Sequence, residues 1–211
     1  MDIIDRCRAR STCQLSDGLA QLGLYPLGLT GIWPLEPATG FAGRAMTVQF
    51  KPKEQVGPGE RVEYLDFVKP GDVIVIDNSG RVDCSSWGGQ RSLGARQKGA
   101  VGVVLHGAYR DVEEQWAGGF PVYGTGRAVA GSRHGGVPVA INVTLSITGC
   151  TIEPGDVVVA DASGVIVVPS NAAPAVVAAA EELASQEADV AQAIARGEDF
   201  LSYRARARAR A

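Results

Sequence analysis

The chain has 211 residues, 45% of them hydrophobic and 20% charged, with a formal net charge of −3 at pH 7. That is enough apolar material for one full core, and a charge this small gives no reason to expect a nucleic-acid or membrane partner. Four scattered cysteines (Cys7, Cys13, Cys84, Cys150) have neither the C-x-x-C spacing of a zinc site nor a disulfide framework. The opening MDIIDRCRAR lacks the apolar core of a signal peptide, and no apolar run approaches bilayer-spanning length, so a cytoplasmic protein is expected.

Along the chain, Ser16-Asp17 predicts the cap of a short helix through Gln21, closed by Gly23. Residues 24–40, rich in proline and glycine, read as an irregular loop. Lys69-Pro70-Gly71-Asp72 then leads into Val73 to Ile76 and Asp77-Asn78-Ser79-Gly80, and the same pattern returns at residues 153–164. In each copy Pro-Gly-Asp predicts a turn, the β-branched run a buried strand, and Asp-x-Ser-Gly a second turn, giving two paired hairpins in one β-rich core. The aspartates of these copies read as turn-formers.

Gly88-Gly89 opens a helical segment that ends at Lys98-Gly99. A strand from Ala100 to Leu105 follows, then a loop, His106 to Tyr109, that delivers Arg110 and Asp111. Residues 118–138 form a second glycine-rich loop, with Arg127, Arg133 and His134, expected to wrap over a site or an interface. Val165 to Val168 is another strand, and a long helix runs from Asn171, with Pro174 in its first turn, to Arg196. The thin apolar stripe of that helix suits packing on its own sheet or on a neighbouring subunit. The closing RARARARA, with Arg204, Arg206, Arg208 and Arg210, reads as a solvated terminus, since only Tyr203 supplies an aromatic neighbour.

The chemistry concentrates between Trp87 and Glu114. Main-chain N–H groups at a glycine-opened helix start are unpaired donors in a positive field, and glycine lets a carboxylate or phosphate approach closely. Arg110 supplies a planar fork for a carboxylate. Asp111 is a hard oxygen ligand suited to Mg²⁺ or Mn²⁺ with water completing the shell, and is expected to point away from Arg110. Together these describe a binder of metal-chelated oxo-acids; the bland alternatives are a plain turn at the glycines and a solvated ion pair at Arg110-Asp111.

The pattern of Gly89, twenty intervening residues, Arg110-Asp111 and then Glu114 resembles the signature of the RraA-like family. STCQLSDGLAQLG looks like that family's opening helix and FAGRAMTVQF its first core strand, while VKPGDVIVIDNSG and TIEPGDVVVADASGVIVVP match its two Pro-Gly-Asp hairpins. The family includes class II pyruvate aldolases acting on 4-hydroxy-4-methyl-2-oxoglutarate and 4-carboxy-4-hydroxy-2-oxoadipate, and also regulators of RNase E activity. The resemblance implies an α/β fold: a single-domain swivelling β/β/α architecture over residues 1–200, with a central β core flanked by helices and an Arg-rich tail at 201–211. It also implies a homotrimer or hexamer with sites at subunit boundaries.

On that resemblance the substrate is a small 2-oxo acid. Arg110 and the amides of Gly88, Gly89 and Gln90 would hold its carboxylate. Asp111 would bind Mg²⁺ (or Mn²⁺), and Glu187, from the adjacent protomer's C-terminal helix, would help complete the metal's water shell. Cleavage would pass through a metal-stabilised enolate without a Schiff-base lysine, with oxaloacetate decarboxylation accessible by the same route. Two positions depart from many relatives. Arg91 could pair with a second carboxylate or phosphate on the substrate, or be an exposed helix arginine. His106 could be an acid/base catalyst, or end a strand. The alternative functions are a non-catalytic binding protein like the RNase E regulators, whose relatives tend to lack the aspartate after the motif arginine, and a repurposed biosynthetic member acting on another acid.

Overall fold

A computed structural model of the chain describes residues 1–25, 28–131 and 135–203. In chain order the elements are α1 (Ile3–Arg8), α2 (Thr12–Gln21), β1 (Trp33–Pro34), β2 (Phe41–Pro52), β3 (Asp72–Trp87), α3 (Gly89–Gln97), β4 (Gly102–Tyr109), α4 (Val112–Gly118) and β5 (Val122–Arg127). They continue as β6 (Gly136–Ile141), β7 (Leu145–Ile147), β8 (Cys150–Ile152), β9 (Val157–Asp161), β10 (Gly164–Val168) and α5 (Ala173–Ala195).

Eight strands form one mixed sheet in the order β1-β5-β4-β3-β2-β9-β10, with β6 paired to the second half of β2. The pairs β2–β3, β3–β4 and β4–β5 are parallel, and α3 and α4 make the crossovers between the last two. This is an α/β fold with a large central sheet flanked by helices, as expected.

Why both faces of the sheet are covered follows from β3. Val73 and Val75 enter one apolar cluster with Val104, Tyr123 and the β7–β8 hairpin, while Ile74 and Ile76 enter a second with Val103, Leu105, Trp87 and Phe120. Successive residues point to opposite faces, so an uninterrupted β-branched run needs a partner layer on each side. A third cluster seats α1, α2 and α5 on β9 and β10. There Gly18 is required by contact: a Cβ on it would lie 2.8 Å from the Val176 carbonyl oxygen.

Several local expectations are corrected. Helix α2 begins four residues before the expected cap, because Ser11 and Gln14 form a reciprocal capping box, with Ser11 Oγ accepting from the Gln14 N–H at 3.1 Å and Gln14 Oε1 from the Ser11 N–H at 3.3 Å. The second Pro-Gly-Asp copy is a hairpin, β9–β10, but the first is not. Its Asp-x-Ser-Gly is a bulge inside β3, with left-handed Ser79 (φ 56°) and Gly80 (φ 67°), after which the strand continues to Trp87. The expected loop at His106 to Tyr109 is strand, since β4 pairs through Tyr109 with both β3 and β5. Likewise β5 and β6 occupy much of the expected loop at 118–138. Arg133 and His134 within it, and the arginines of the tail, lie outside the described residues.

The copies do agree in their turn chemistry. Asp72 accepts from the Lys69 N–H and Asp156 from the Glu153 N–H, each at 2.8 Å, and Gly71 and Gly155 have φ of 88° and 90°. These aspartates close turns.

Candidate active site

The parallel strands β3 and β4 end side by side, and each passes directly into a helix. The Arg110 N–H donates to the Trp87 carbonyl at 3.1 Å, which ties the two exits together. Between them lies a cleft of about 440 Å³ lined by Ser85, Ser86, Trp87, Gly88, Gln90, Arg91, Arg110, Asp111 and Glu114. A crevice beyond the carboxyl ends of parallel strands is where open α/β sheets take their ligands.

Asp111 faces the same cleft as Arg110, not away from it. Its backbone is left-handed (φ 58°, ψ 47°), a conformation that aspartate tolerates better than most residues, and this turns the carboxylate back. Oδ2 then sits 3.5 Å from Arg110 Nε and accepts from the Gly89 N–H at 3.1 Å. The Gly89 amide, expected to hold substrate, is therefore engaged by Asp111. Gln90 lines the cleft, and as a first-turn residue its N–H has no intrahelical acceptor.

At both glycines the space a Cβ would take is filled by an acidic side chain of the next crossover. A Cβ on Gly88 would lie 2.6 Å from Asp111 Oδ2, and one on Gly89 would overlap the Glu114 carboxylate. Glu114, one helical turn after Asp111, is thereby a second acid at the cleft. Gly131 stands against the Arg110 guanidinium, where a Cβ would be 2.6 Å from Nη1, so the chain just after β5 packs beside that side chain.

Beneath the cleft runs a buried polar chain that the sequence reading missed. Trp87 Nε1 donates to Ser92 Oγ at 2.8 Å, the Ser92 hydroxyl donates to Gln115 Oε1 at 2.8 Å, and the Gln115 amide donates to the Arg110 carbonyl. Gln115 is 1% exposed, so each of its polar atoms needs a protein partner. The chain locks α3, α4 and the Arg110-Asp111 turn into one unit. Its only sequence signal is a glutamine on the buried face of α4, meaningful once that face is known.

Two predicted site residues stand elsewhere. His106 does not line the cleft; its Nδ1 is 2.8 Å from Asp77 Oδ1 on the neighbouring strand. Glu187 is exposed on α5 and accepts from Gln14 Nε2 at 3.1 Å, so within one chain it does not join the cleft. Among the described residues no cluster of three or more His, Cys, Asp or Glu side chains is arranged to hold a metal. A cation at the cleft would therefore rest on Asp111 and Glu114 with water in the remaining positions, a donor set that fits Mg²⁺, which dehydrates reluctantly and keeps several waters.

The Asp77–His106 pair makes a separate prediction. Burial pushes the Asp77 carboxyl up, but hydrogen bonds from His106, the Ser79 N–H and Gln49 outweigh it and hold the group below its ordinary value. A carboxylate with a lowered folded pKa stabilises the fold above its unfolded pKa of about 4, and that contribution is lost as pH falls through the folded value. Asp77→Asn is expected to be less stable than wild type at pH 7, with the two urea midpoints converging as pH drops below about 4. Midpoints that stay parallel from pH 7 to 3 would rule this linkage out.

The aldolase/RraA family model, described as RraA-like, matches residues 12–167. The chain is 36% identical over 163 residues to protein DlpA of Legionella pneumophila, covering 76% of this chain but spanning only 26% of DlpA's length. It is 31% identical over 133 residues to 4-hydroxy-4-methyl-2-oxoglutarate aldolase of Thermus thermophilus, covering 61% of this chain and 76% of that protein. The crystal structure of Streptomyces coelicolor RraAS2, described as an unusual member of the RNase ES inhibitor RraA protein family, superposes with a TM-score of 0.84 at 29% identity, covering 90% of this chain and 96% of that one. With the fold, the Gly89-to-Arg110 spacing and the matched span in agreement, the chain belongs to the RraA-like family.

Proposed function

We propose that the chain is a divalent-metal-dependent lyase that cleaves a small 2-oxo acid, releasing pyruvate by retro-aldol cleavage or decarboxylating oxaloacetate. The observation that carries this reading is the convergence of Arg110, Asp111, Glu114 and the α3 start on one cleft of about 440 Å³. Similarity to an oxo-acid aldolase supports it. So does Asp111, the residue that regulator-type relatives tend to lack.

In this reading Arg110 grips the substrate carboxylate with its planar fork, and the free amide at Gln90 adds a donor from the helix start. Asp111, oriented by the Gly89 N–H, and Glu114 hold the cation. When bound, Mg²⁺ or Mn²⁺ supplies Lewis-acid stabilisation of the negative charge that develops on the oxo-acid oxygen as the carbon–carbon bond breaks. The Trp87–Ser92–Gln115 chain keeps the Arg110-Asp111 turn from relaxing between turnovers, which is what preorganised electrostatic catalysis requires. Glu187, on an exposed stretch of α5, would reach a neighbouring subunit's cleft in a homotrimer or hexamer, and light scattering gives the assembly directly.

The test is pyruvate release from oxaloacetate and from 4-hydroxy-4-methyl-2-oxoglutarate, with Mg²⁺ and with chelator. Release above the spontaneous, metal-only rate that falls to that background with chelator is expected. No activity, together with no effect of Mg²⁺ on thermal unfolding, would instead favour a binding protein related to the RNase inhibitors.

A further inference from the structure

The cleft has a floor as well as a mouth. Arg110 and Asp111 stand at the mouth, with side chains 47% and 34% exposed, whereas Ser85 and Ser86, which also line the cleft, are each only 3% exposed. In the parallel ladder of β3 and β4, Ser85 pairs with Ala108, two residues before Arg110, which sets it about 7 Å further in along the strand. The Ser85 N–H donates to the Ala130 carbonyl at 2.8 Å, so the main chain that carries the side chain is fixed.

Other polar groups around this space already have partners. Trp87 Nε1 donates to Ser92, the Gly89 N–H to Asp111, and the Ser86 hydroxyl to the Ala108 carbonyl at 3.4 Å. The Arg91 guanidinium is stacked 4.9 Å from the ring centroid of buried Tyr64. Ser85 Oγ differs from all of these. Among the described residues it has no hydrogen-bond partner, yet it is not sealed inside the protein, so the little surface it keeps opens on the cleft. A nearly buried polar group without a protein partner is the exception, and it calls for a partner from elsewhere. A serine hydroxyl is neutral, and it both donates and accepts. Its complement is another neutral hydroxyl, while an anionic group in the same cleft is drawn to Arg110 and the cation.

We infer that Ser85 is a specificity-determining residue: its hydroxyl bonds to a hydroxyl at C4 of the substrate and so favours retro-aldol cleavage over decarboxylation. The inference rests on the proposed oxo-acid reading and deepens it by choosing between its two reactions. In the cleavage the C3–C4 bond breaks, its electron pair passes into the enolate, and the C4 hydroxyl becomes a carbonyl as its proton leaves to water. The enolate carbon takes a proton from water to give pyruvate, which balances the exchange. Ser85 does not take that proton, since a serine hydroxyl is far too weak a base. By accepting from the C4 hydroxyl it holds that group, and the bond to be broken, in one orientation. Oxaloacetate has no hydroxyl there, because its C4 is the carboxylate that leaves as carbon dioxide.

Pyruvate release by the full chain in Mg²⁺ from 4-hydroxy-4-methyl-2-oxoglutarate and from oxaloacetate, each corrected for the metal-only rate, tests this in wild type, Ser85→Ala and Ser85→Cys. Cysteine fills the space of the serine but is a weak donor and acceptor, so it removes the bond without opening a cavity. In both variants kcat/KM for the hydroxy acid is expected to fall about tenfold, the order of one hydrogen bond, while that for oxaloacetate stays within about twofold of wild type. Thermal unfolding verifies that each variant is folded, and the cysteine variant carries the test if alanine is not tolerated. Equal losses on both substrates, or no loss on either, overturn the role of Ser85 and leave the head-group site standing. A wild type that decarboxylates oxaloacetate but leaves the hydroxy acid intact does the same. A wild type inactive on both overturns the oxo-acid reading and this inference with it.

Discussion

Asp111→Asn is expected to fold normally and to lose about 10²–10³-fold in metal-dependent pyruvate release. The two halves of that expectation have different causes. Asparagine occupies the left-handed region nearly as readily as aspartate, so the φ of 58° at this position stays tolerable, and its side-chain oxygen can still accept from the Gly89 N–H. What disappears is the negative charge that holds the cation and faces Arg110 Nε. Alanine would confuse the two effects, because a residue with no such tolerance adds roughly 1–2 kcal/mol of backbone strain. An unfolding temperature within a few degrees of wild type, a weakened Mg²⁺ dependence and a lower kcat are the expected signature. Activity within a factor of a few of wild type at saturating Mg²⁺ would remove Asp111 from the proposed metal site.

Why the core of this site was legible, and its surroundings were not, has a physical explanation. Gly88, Gly89, Arg110 and Asp111 lie at the exits of two adjacent parallel strands, and their chemistry is local. A glycine pair at a helix start and an Arg-Asp turn after a β-branched run keep their meaning whatever surrounds them. Gln115 and Ser92 do not; their role exists only because α3 and α4 turn polar side chains toward each other beneath the cleft. His106 failed for a related reason. A histidine near a strand end has no fixed partner in sequence, and here the parallel register sets it opposite Asp77. The bulge at Ser79-Gly80 has the same residue pattern as the β9–β10 hairpin turn, and only the neighbours that β3 finds beyond it decide that the strand continues.

Gly43→Ala is expected to be strongly destabilising although it lies outside the cleft. Gly43 sits in β2 where its parallel ladder with β3 begins, at Arg44 opposite Asp72. A Cβ there would overlap the Gly71 carbonyl oxygen, with Val101 Cγ2 at 2.9 Å and Val73 Cγ2 at 3.0 Å closing the remaining directions. The first obstacle is main chain in a turn that already holds φ at 88°, so no rotamer change relieves it and the strands must separate. Overpacking of this kind costs about 3 kcal/mol, near the top of its usual range, or roughly 6–12 °C of melting temperature for a chain of this length. Gly28→Ala, with no atom within 4 Å of the added methyl group, is the matched control and should stay within about 0.5 kcal/mol of wild type. Because Gly43 pairs near the start of β3 and the cleft lies beyond its end at Trp87, the two ends can be separated by experiment. Gly43→Ala assayed well below its melting temperature should turn over at close to the wild-type rate, since the Trp87–Ser92–Gln115 chain holds the cleft independently of the ladder's first rung. A rate that falls in step with stability would mean that the geometry of the Arg110-Asp111 turn is set by the register of the whole parallel sheet.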